Sequence, residues 1–433
     1  MLPVATVPVS LVEVLQACRG AFGVPAFVTF TLLVAGALAA VGPRTVTGMW
    51  TAVGMAGHAH WARAHRFFAE TRWDPDTVGL LLARLVVERF TASGQALTVA
   101  VDDTLFHRYG RKVFGCFWQH DGSAKGRDGI GRGNCFVIAG LVVTVPFTDR
   151  GVCLPLLFRL HLPKRGASKP EQARELVNLL ARAFCHRRVH VVVDAAYRGK
   201  AWRGLPGNVT FTTRLAANAT LYAPPPPRTG RRGRPALKGA RLGKPADLAA
   251  SATWTRVTVT RYGERATLDV AVVACLWWGS LHTTGVHVVL VRAADSTKPY
   301  DLALVTTDLA ATAEELVCRY ADRWSIEQAI KDSKGHLGAG DAHNRVQAAV
   351  ERTVPFAMLN LTILTLWYHH AGNAAADLAT RRAVARWYPH KRHIAVTDML
   401  VAFRRARITD ITAGHATLHQ NPHQALTWTS AAA

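Results

Sequence analysis

Residues 96–110 read ALTVAVDDTLFHRYG. Ala96 to Val101 are apolar or β-branched without a break, with Gly94 upstream and two acids downstream. That pattern predicts a buried strand ending at Asp102 and Asp103. A carboxylate at the end of a buried strand is costly unless it is paired or bound to a metal, although a turn capped by Asp is the plain structural alternative. Side chains alternate along a strand, so only one of the two neighbours can face a shared site.

A second stretch of the same kind, RRVHVVVDAAYRGKAW, occupies residues 187–202. Val189 to Val193 is the Val-rich run of a strand inside a sheet, and Asp194 ends it. Ligand and catalytic groups gather at the carboxyl ends of strands in open α/β sheets. Tyr197 and Arg198 follow at once and could contact phosphate from the same loop. Between the two acidic stretches lie strand candidates at Asn134 to Val145 and Val152 to Leu160, then an amphipathic helix from about Pro170 to Phe184. Three strands, a helix and a strand describe an α/β fold with a mixed sheet flanked by helices.

A third stretch, RYADRWSIEQAIKDSKGH at residues 319–336, carries Tyr320, Arg323, Glu327 and Lys334 at offsets of 0, 3, 7 and 14. At about 100° per residue these offsets fall within roughly 60° of one another on a single helix. A stripe of acid, base and phenol suits a charged ligand, whereas the ordinary alternative is a solvated face with a Glu327–Lys331 pair.

The Tyr-x2-Arg-x3-Glu-x6-Lys spacing, with two strand-end aspartates upstream, resembles the DDE transposases of insertion sequences that carry the YREK signature, whose catalytic core is RNase H-like. The resemblance implies a triad of Asp103, Asp194 and Glu327 holding two Mg2+ ions, with Mn2+ able to substitute. It favours Asp103 because the family acid directly precedes a Thr, here Thr104, and Asp102 stays open as the alternative. Asp103 would bridge both ions, with Asp194 and Glu327 each completing one. Arg323 and Lys334 would grip phosphates as solvent-facing cations, and Tyr320 would position the strand. The implied reaction is cleavage at element ends and transfer into target double-stranded DNA by a cut-and-paste route. A homodimer would hold two ends in the synaptic complex, in the nucleoid of a prokaryotic cytoplasm.

From Asp103 to Asp194 there are 91 positions and from Asp194 to Glu327 there are 133, so the second gap exceeds a minimal core. Strand-like runs at Thr255 to Arg261, Ala266 to Trp277 and Val286 to Arg292 fill it as a β-rich insertion. The expected organisation is a helical N-terminal DNA-binding domain at 1–94, catalytic core at 95–215, insertion at 216–300, the rest of the core with the Glu-bearing helix at 301–370, and a basic helical region at 371–433. Inside the insertion, Ala223 to Ala246 carries seven cations and no acid among prolines and glycines. This loop attracts phosphate, and its Arg232-Gly233-Arg234-Pro235 has the form of an AT-hook whose arginines enter a narrow minor groove.

Composition agrees with a polyanionic partner. The chain has 433 residues and a formal charge of +23, spread along its length, which favours non-specific DNA binding with strong salt dependence. Seven scattered cysteines without a CxxC pair exclude a zinc ribbon or disulfide framework. Ala21 to Gly42 is uncharged over 22 residues, but its Pro, Thr, Gly and Ala content reads as a buried helix, with no stable membrane association expected. Two other classes stay open: a domesticated, catalytically silent DNA-binding descendant, and a membrane-anchored basic protein.

Overall fold

The computed structural model describes residues 7–57, 60–122, 129–163, 165–227, 234–261 and 263–412. Six strands open the sheet: β1 (Leu97–His107), β2 (Phe117–His120), β3 (Ile130–Thr144), β4 (Gly151–His161), β5 (Val189–Val193) and β6 (Val209–Arg214). β3 runs antiparallel to β1 and β4 antiparallel to β3, while β5 and β6 run parallel to β1. The order β4-β3-β1-β5-β6 is that of an RNase H-like fold. β5 is buried along its whole length, as its run of valines requires.

The sheet continues past β6. β7 (Leu221–Tyr222), β8 (Arg241–Gly243), β9 (Thr255–Arg261), β10 (Glu264–Leu276), β11 (Gly285–Ala293) and β12 (Leu302–Thr306) come from the long gap between Asp194 and Glu327. β12 pairs antiparallel with both β6 and β11, so these strands extend the same sheet to twelve strands among the described residues. They carry a small core of their own, in which Val259, Leu268, Val289 and Leu304 meet Leu316 and Val317.

On the N-terminal side lie α1 (Val9–Leu15), α2 (Val24–Ala39), α3 (Val46–Ala52), α4 (Ala62–Ala69) and α5 (Pro75–Phe90). α3 stops at Ala52 and α4 begins at Ala62. α5 starts where Asp74 accepts from the Asp76 and Thr77 amides and Pro75 supplies a preset φ. The uncharged segment forms α2, whose 16 residues are buried from Thr29 to Leu38 and pack against α3, α4 and the later helices α11 (Gln347–Ala371) and α13 (Val396–Thr412). At 1.5 Å per residue it is about 24 Å long, short of the roughly 30 Å hydrocarbon layer. No helix among the described residues is long and apolar enough to cross a membrane.

The remaining helices are α6 (Lys169–Ala183), α7 (Pro245–Ser251), α8 (Trp278–Leu281), α9 (Ala313–Asp322), α10 (Ser325–His336) and α12 (Ala374–Val384). α11 is buried nearly all round and packs on β4, α1, α4, α5, α10 and α13. Two local expectations need correction. β1 does not end at Asp102 and Asp103 but runs on to His107, because β3 pairs with it from Thr98 to His107 and satisfies its backbone beyond the acids. The run 319–336 is not one helix either. α9 ends at Asp322 and α10 begins at Ser325, with the ladder tightened at the join to Ile326 N→Arg323 O and Glu327 N→Trp324 O bonds of 3.1 Å.

Candidate active site

β1 and β5 run parallel with Val101 opposite Val193, and there β5 stops. One residue beyond that pair come Asp102, within β1, and Asp194, just after β5, where β1 loses its parallel neighbour and keeps only β3. Asp194 caps the short turn that follows, its Oδ1 accepting from the Ala195 amide at 2.6 Å and its carbonyl accepting from Thr213 Oγ1 at 3.0 Å.

Alternation sends the two β1 acids to opposite faces. Asp102 faces α10, where Arg323 lies between it and Glu327, with Nη1 3.7 Å from Asp102 Oδ2 and Nη2 3.0 Å from Glu327 Oε1. The helix pair is therefore Arg323–Glu327. Burial pushes the Asp102 carboxyl up to about 7, the Asp103 amide (2.8 Å) and Arg323 pull it down, and the charges of Asp103 and Glu327 add to the rise. Among the described residues neither Nε nor Nη1 of Arg323 has a hydrogen-bond acceptor, although the side chain is only 9% exposed. Tyr320 stands with its ring 5.6 Å from the Arg323 guanidinium. Burial raises its phenol, Arg323 opposes this, and the charge of Asp194 adds to it.

Asp103 faces α6. Lys169 Nζ is 2.5 Å from its Oδ2, Tyr197 Oη donates to its Oδ1 at 2.8 Å, and the Cys135 thiol lies 3.3 Å from Oδ2. Tyr197 is thus buried against Asp103 and does not face phosphate as its place in the loop suggested. Burial, then the charge of Asp103, pushes the Cys135 thiol up to about 12.

Lys334 is not a free helix-face cation. Its ammonium donates to Thr104 Oγ1 at 2.7 Å and to Leu105 O at 2.8 Å, lies 5.0 Å from the Phe106 ring centroid, and is lowered by burial. It ties the end of α10 to β1 just beyond the acids. Arg198 and Arg234 are exposed, and Arg232 lies outside the described residues. Sequence reading missed Lys169, whose one signal is a cation in the first turn of a helix, where the dipole opposes it. It also missed the buried group of His190, Asp308 and Arg319, which no spacing announces.

Among the described residues no three carboxylate, imidazole or thiol groups stand close enough to share a metal ion. Asp102 and Glu327 share a guanidinium instead. The donor set nonetheless fits a hard divalent cation, because strand-end and helix carboxylates offer only oxygen and Asp102 is buried deeply enough to demand a counter-charge. In this state Arg323 is that counter-charge.

No curated protein matches the chain. A family model described as DDE superfamily endonuclease matches residues 23–268, more than half of the length. The match takes in both aspartate-bearing strands and stops before α9 and α10, so the position of Glu327 is known from the packing of α10 alone. Its reach over more than half of the chain, the RNase H-like strands included, places the chain: it belongs to the DDE superfamily endonucleases.

Proposed function

We propose that this endonuclease is the transposase of an insertion sequence of the YREK type, cutting the element's ends and joining them to target DNA by phosphoryl transfer. One observation carries the reading. A single guanidinium joins Asp102 of β1 to Glu327 of α10, so two acids from separate parts of the chain border one cationic position, and Asp194 follows the strand that pairs with β1. In this reading Asp102 takes the place that the Asp-Thr resemblance assigns to Asp103, because Asp103 is turned away and occupied by Lys169 and Tyr197.

Asp102, Asp194 and Glu327 would hold divalent cations, Mg2+ or Mn2+. Such cations supply Lewis-acid activation of the attacking oxygen and charge for the leaving one. The chain's own groups do the rest. Arg323, released from the carboxylates, presents a planar fork to a phosphate. Tyr320 orients the strand beside Asp194. Lys334 fixes α10 against β1 and so sets the height of Glu327 above Asp102. The +23 charge and the basic loop around Arg234 draw in DNA through counterion release, and two ends require a homodimer.

The test is cleavage of duplexes bearing the inverted repeats that flank the gene, with Mg2+ and with Mn2+. Wild-type protein should cut at the element boundary, while Asp194→Asn and Glu327→Gln should bind the duplex and leave it whole. Binding without any cut by the wild type would leave a catalytically silent DNA-binding protein.

A further inference from the structure

Past the acids, β1 leads to an exposed patch outside the candidate site. Tyr109 is 91% exposed and Trp118 70% exposed, an unusual solvent cost for two large rings so close to a strand. Their surroundings are ordered by specific bonds. Arg132 Nη1 donates to Arg108 O at 3.0 Å and to Gly110 O at 3.3 Å, the carbonyls on either side of Tyr109. In β3 the same Arg132 stands directly opposite Trp118 of β2. Phe114 N donates to Arg345 O at 2.9 Å and Asn134 Nδ2 to Phe114 O at 2.8 Å, closing the rest of the 108–117 connection onto the body.

Register decides which way this patch looks. Residues opposite one another on antiparallel strands share a face. Asp102 opposes Ile138, Thr104 opposes Phe136 and Phe106 opposes Asn134, so Arg132, two residues from Asn134, lies on the face of Asp102. Trp118 opposes Arg132 and lies there too. α10 covers this face as far as Lys334 and His336, and the segment after it closes over Phe106 and Arg108, whose Nη1 donates to Gly340 O at 2.6 Å, so that Tyr109 and Trp118 stand at the edge of the covered part. Charge there suits a polyanion: Arg111, Lys112 and His120 are exposed, while Asp121 is buried with the His107 imidazole 2.9 Å away.

We propose that Tyr109 and Trp118 form a stacking platform for unpaired bases of the DNA strand that runs through the active site, with Arg111 and Lys112 on its phosphates. At the rise of a strand the platform lies roughly 20 Å beyond Asp102, about six nucleotides along the DNA. Flat rings beside cations bind single-stranded nucleic acid without reading its sequence. This rests on the transposase reading above.

The experiment compares element-end duplexes that are blunt with duplexes carrying a single-stranded tail, using the full chain in Ca2+. Trp118→Ala and Tyr109→Ala should each weaken binding of the tailed duplex by about tenfold and of the blunt one by less than about twofold, as loss of one base–aromatic stack predicts. Trp118→Phe should recover most of the difference. A 2-aminopurine walked along the tail should be quenched at one position by wild-type protein and stay bright with Trp118→Ala, at unchanged melting temperature. Equal losses on blunt and tailed DNA, or no quenched position in the wild type, would overturn the platform while wild-type cutting of element ends left the proposed function intact. Failure of the wild type both to bind and to cut those ends would remove both.

Discussion

Asp102 and Asp103 share a peptide bond and occupy two different chemical worlds. On the α6 face, Asp103 has a hydroxyl, a thiol and an ammonium within 3.3 Å, an arrangement closed by groups from three parts of the chain. On the α10 face, Asp102 has one guanidinium at 3.7 Å, shared with Glu327 and short of acceptors. A carboxylate with saturated partners is a lock, whereas one with a single under-bonded counter-ion is a site where another cation can take over. Adjacent acids on a strand thus give one carboxylate closed off by its partners and one left with a single counter-ion, separated by alternation alone.

The largest expected effect breaks or secures this contrast directly. Asp102→Asn should lower metal-dependent cleavage by at least about a thousandfold, the scale of lost transition-state charge stabilisation, with DNA binding retained. Asp103→Asn should keep measurable cleavage in proportion to the folded fraction. Single-turnover kinetics on both variants decide it, and the opposite ranking would return the role to Asp103.

A middling effect sharpens the locked side. Asp103→Leu strands the Lys169 ammonium, which keeps 27% of its side-chain exposure, and should cost about 2–3 kcal/mol, somewhat less than breaking a fully buried pair. Adding Lys169→Met removes the stranded charge and should restore most of that loss. Urea unfolding of the two single variants and the double variant gives the coupling, and strictly additive losses would mean that the pair is no lock.

The smallest effect concerns a third buried arrangement, neutral where the others are ionic. His190 of β5 lies 3.3 Å from Asp308 and 2.6 Å from Thr210 Oγ1, and Arg319 of α9 holds Asp308 at 2.9 Å. Burial, and then the charge of Arg319, pushes the imidazole down to about 4 against the pull of Asp308. An unfolded chain titrates its histidines near 6.5, so between about 6.5 and 4 it binds a proton that the folded chain refuses. Stability should therefore fall as pH drops through that window. His190→Gln should flatten the slope by on the order of 1 kcal/mol, read from denaturant midpoints at pH 7 and pH 4.5. An unchanged slope would mean that His190 is charged in the fold.

Much of the architecture was legible locally. The valine run gave β5 its bounds at Val189 and Val193, and Thr255 to Arg261 is β9, because periodicity and strand formers act over a few residues. The continuation of β1 was hidden because its acids look like a strand end, and only β3 opposite them shows that the backbone stays paired. The break at Arg323 and Trp324 was hidden too, since both residues keep helical dihedrals and the four signature positions still reach one place.

For the candidate site the division is sharper. The sequence alone determined that two acids end or interrupt buried strands, that Asp102 and Asp103 must face opposite ways, and that Glu327 follows Arg323 by one helical turn, all consequences of fixed backbone periods. Which acid meets the Arg323–Glu327 pair was decided by the face of the sheet on which α10 packs, and which is tied up was decided by Lys169 and Tyr197 arriving from the other side. The same holds for Lys334, a solvent cation by its spacing and a tie to Leu105 by its packing. Local periods set the phase of each side chain, but partners far along the chain set its charge environment, and these meet only when the layers close over the sheet.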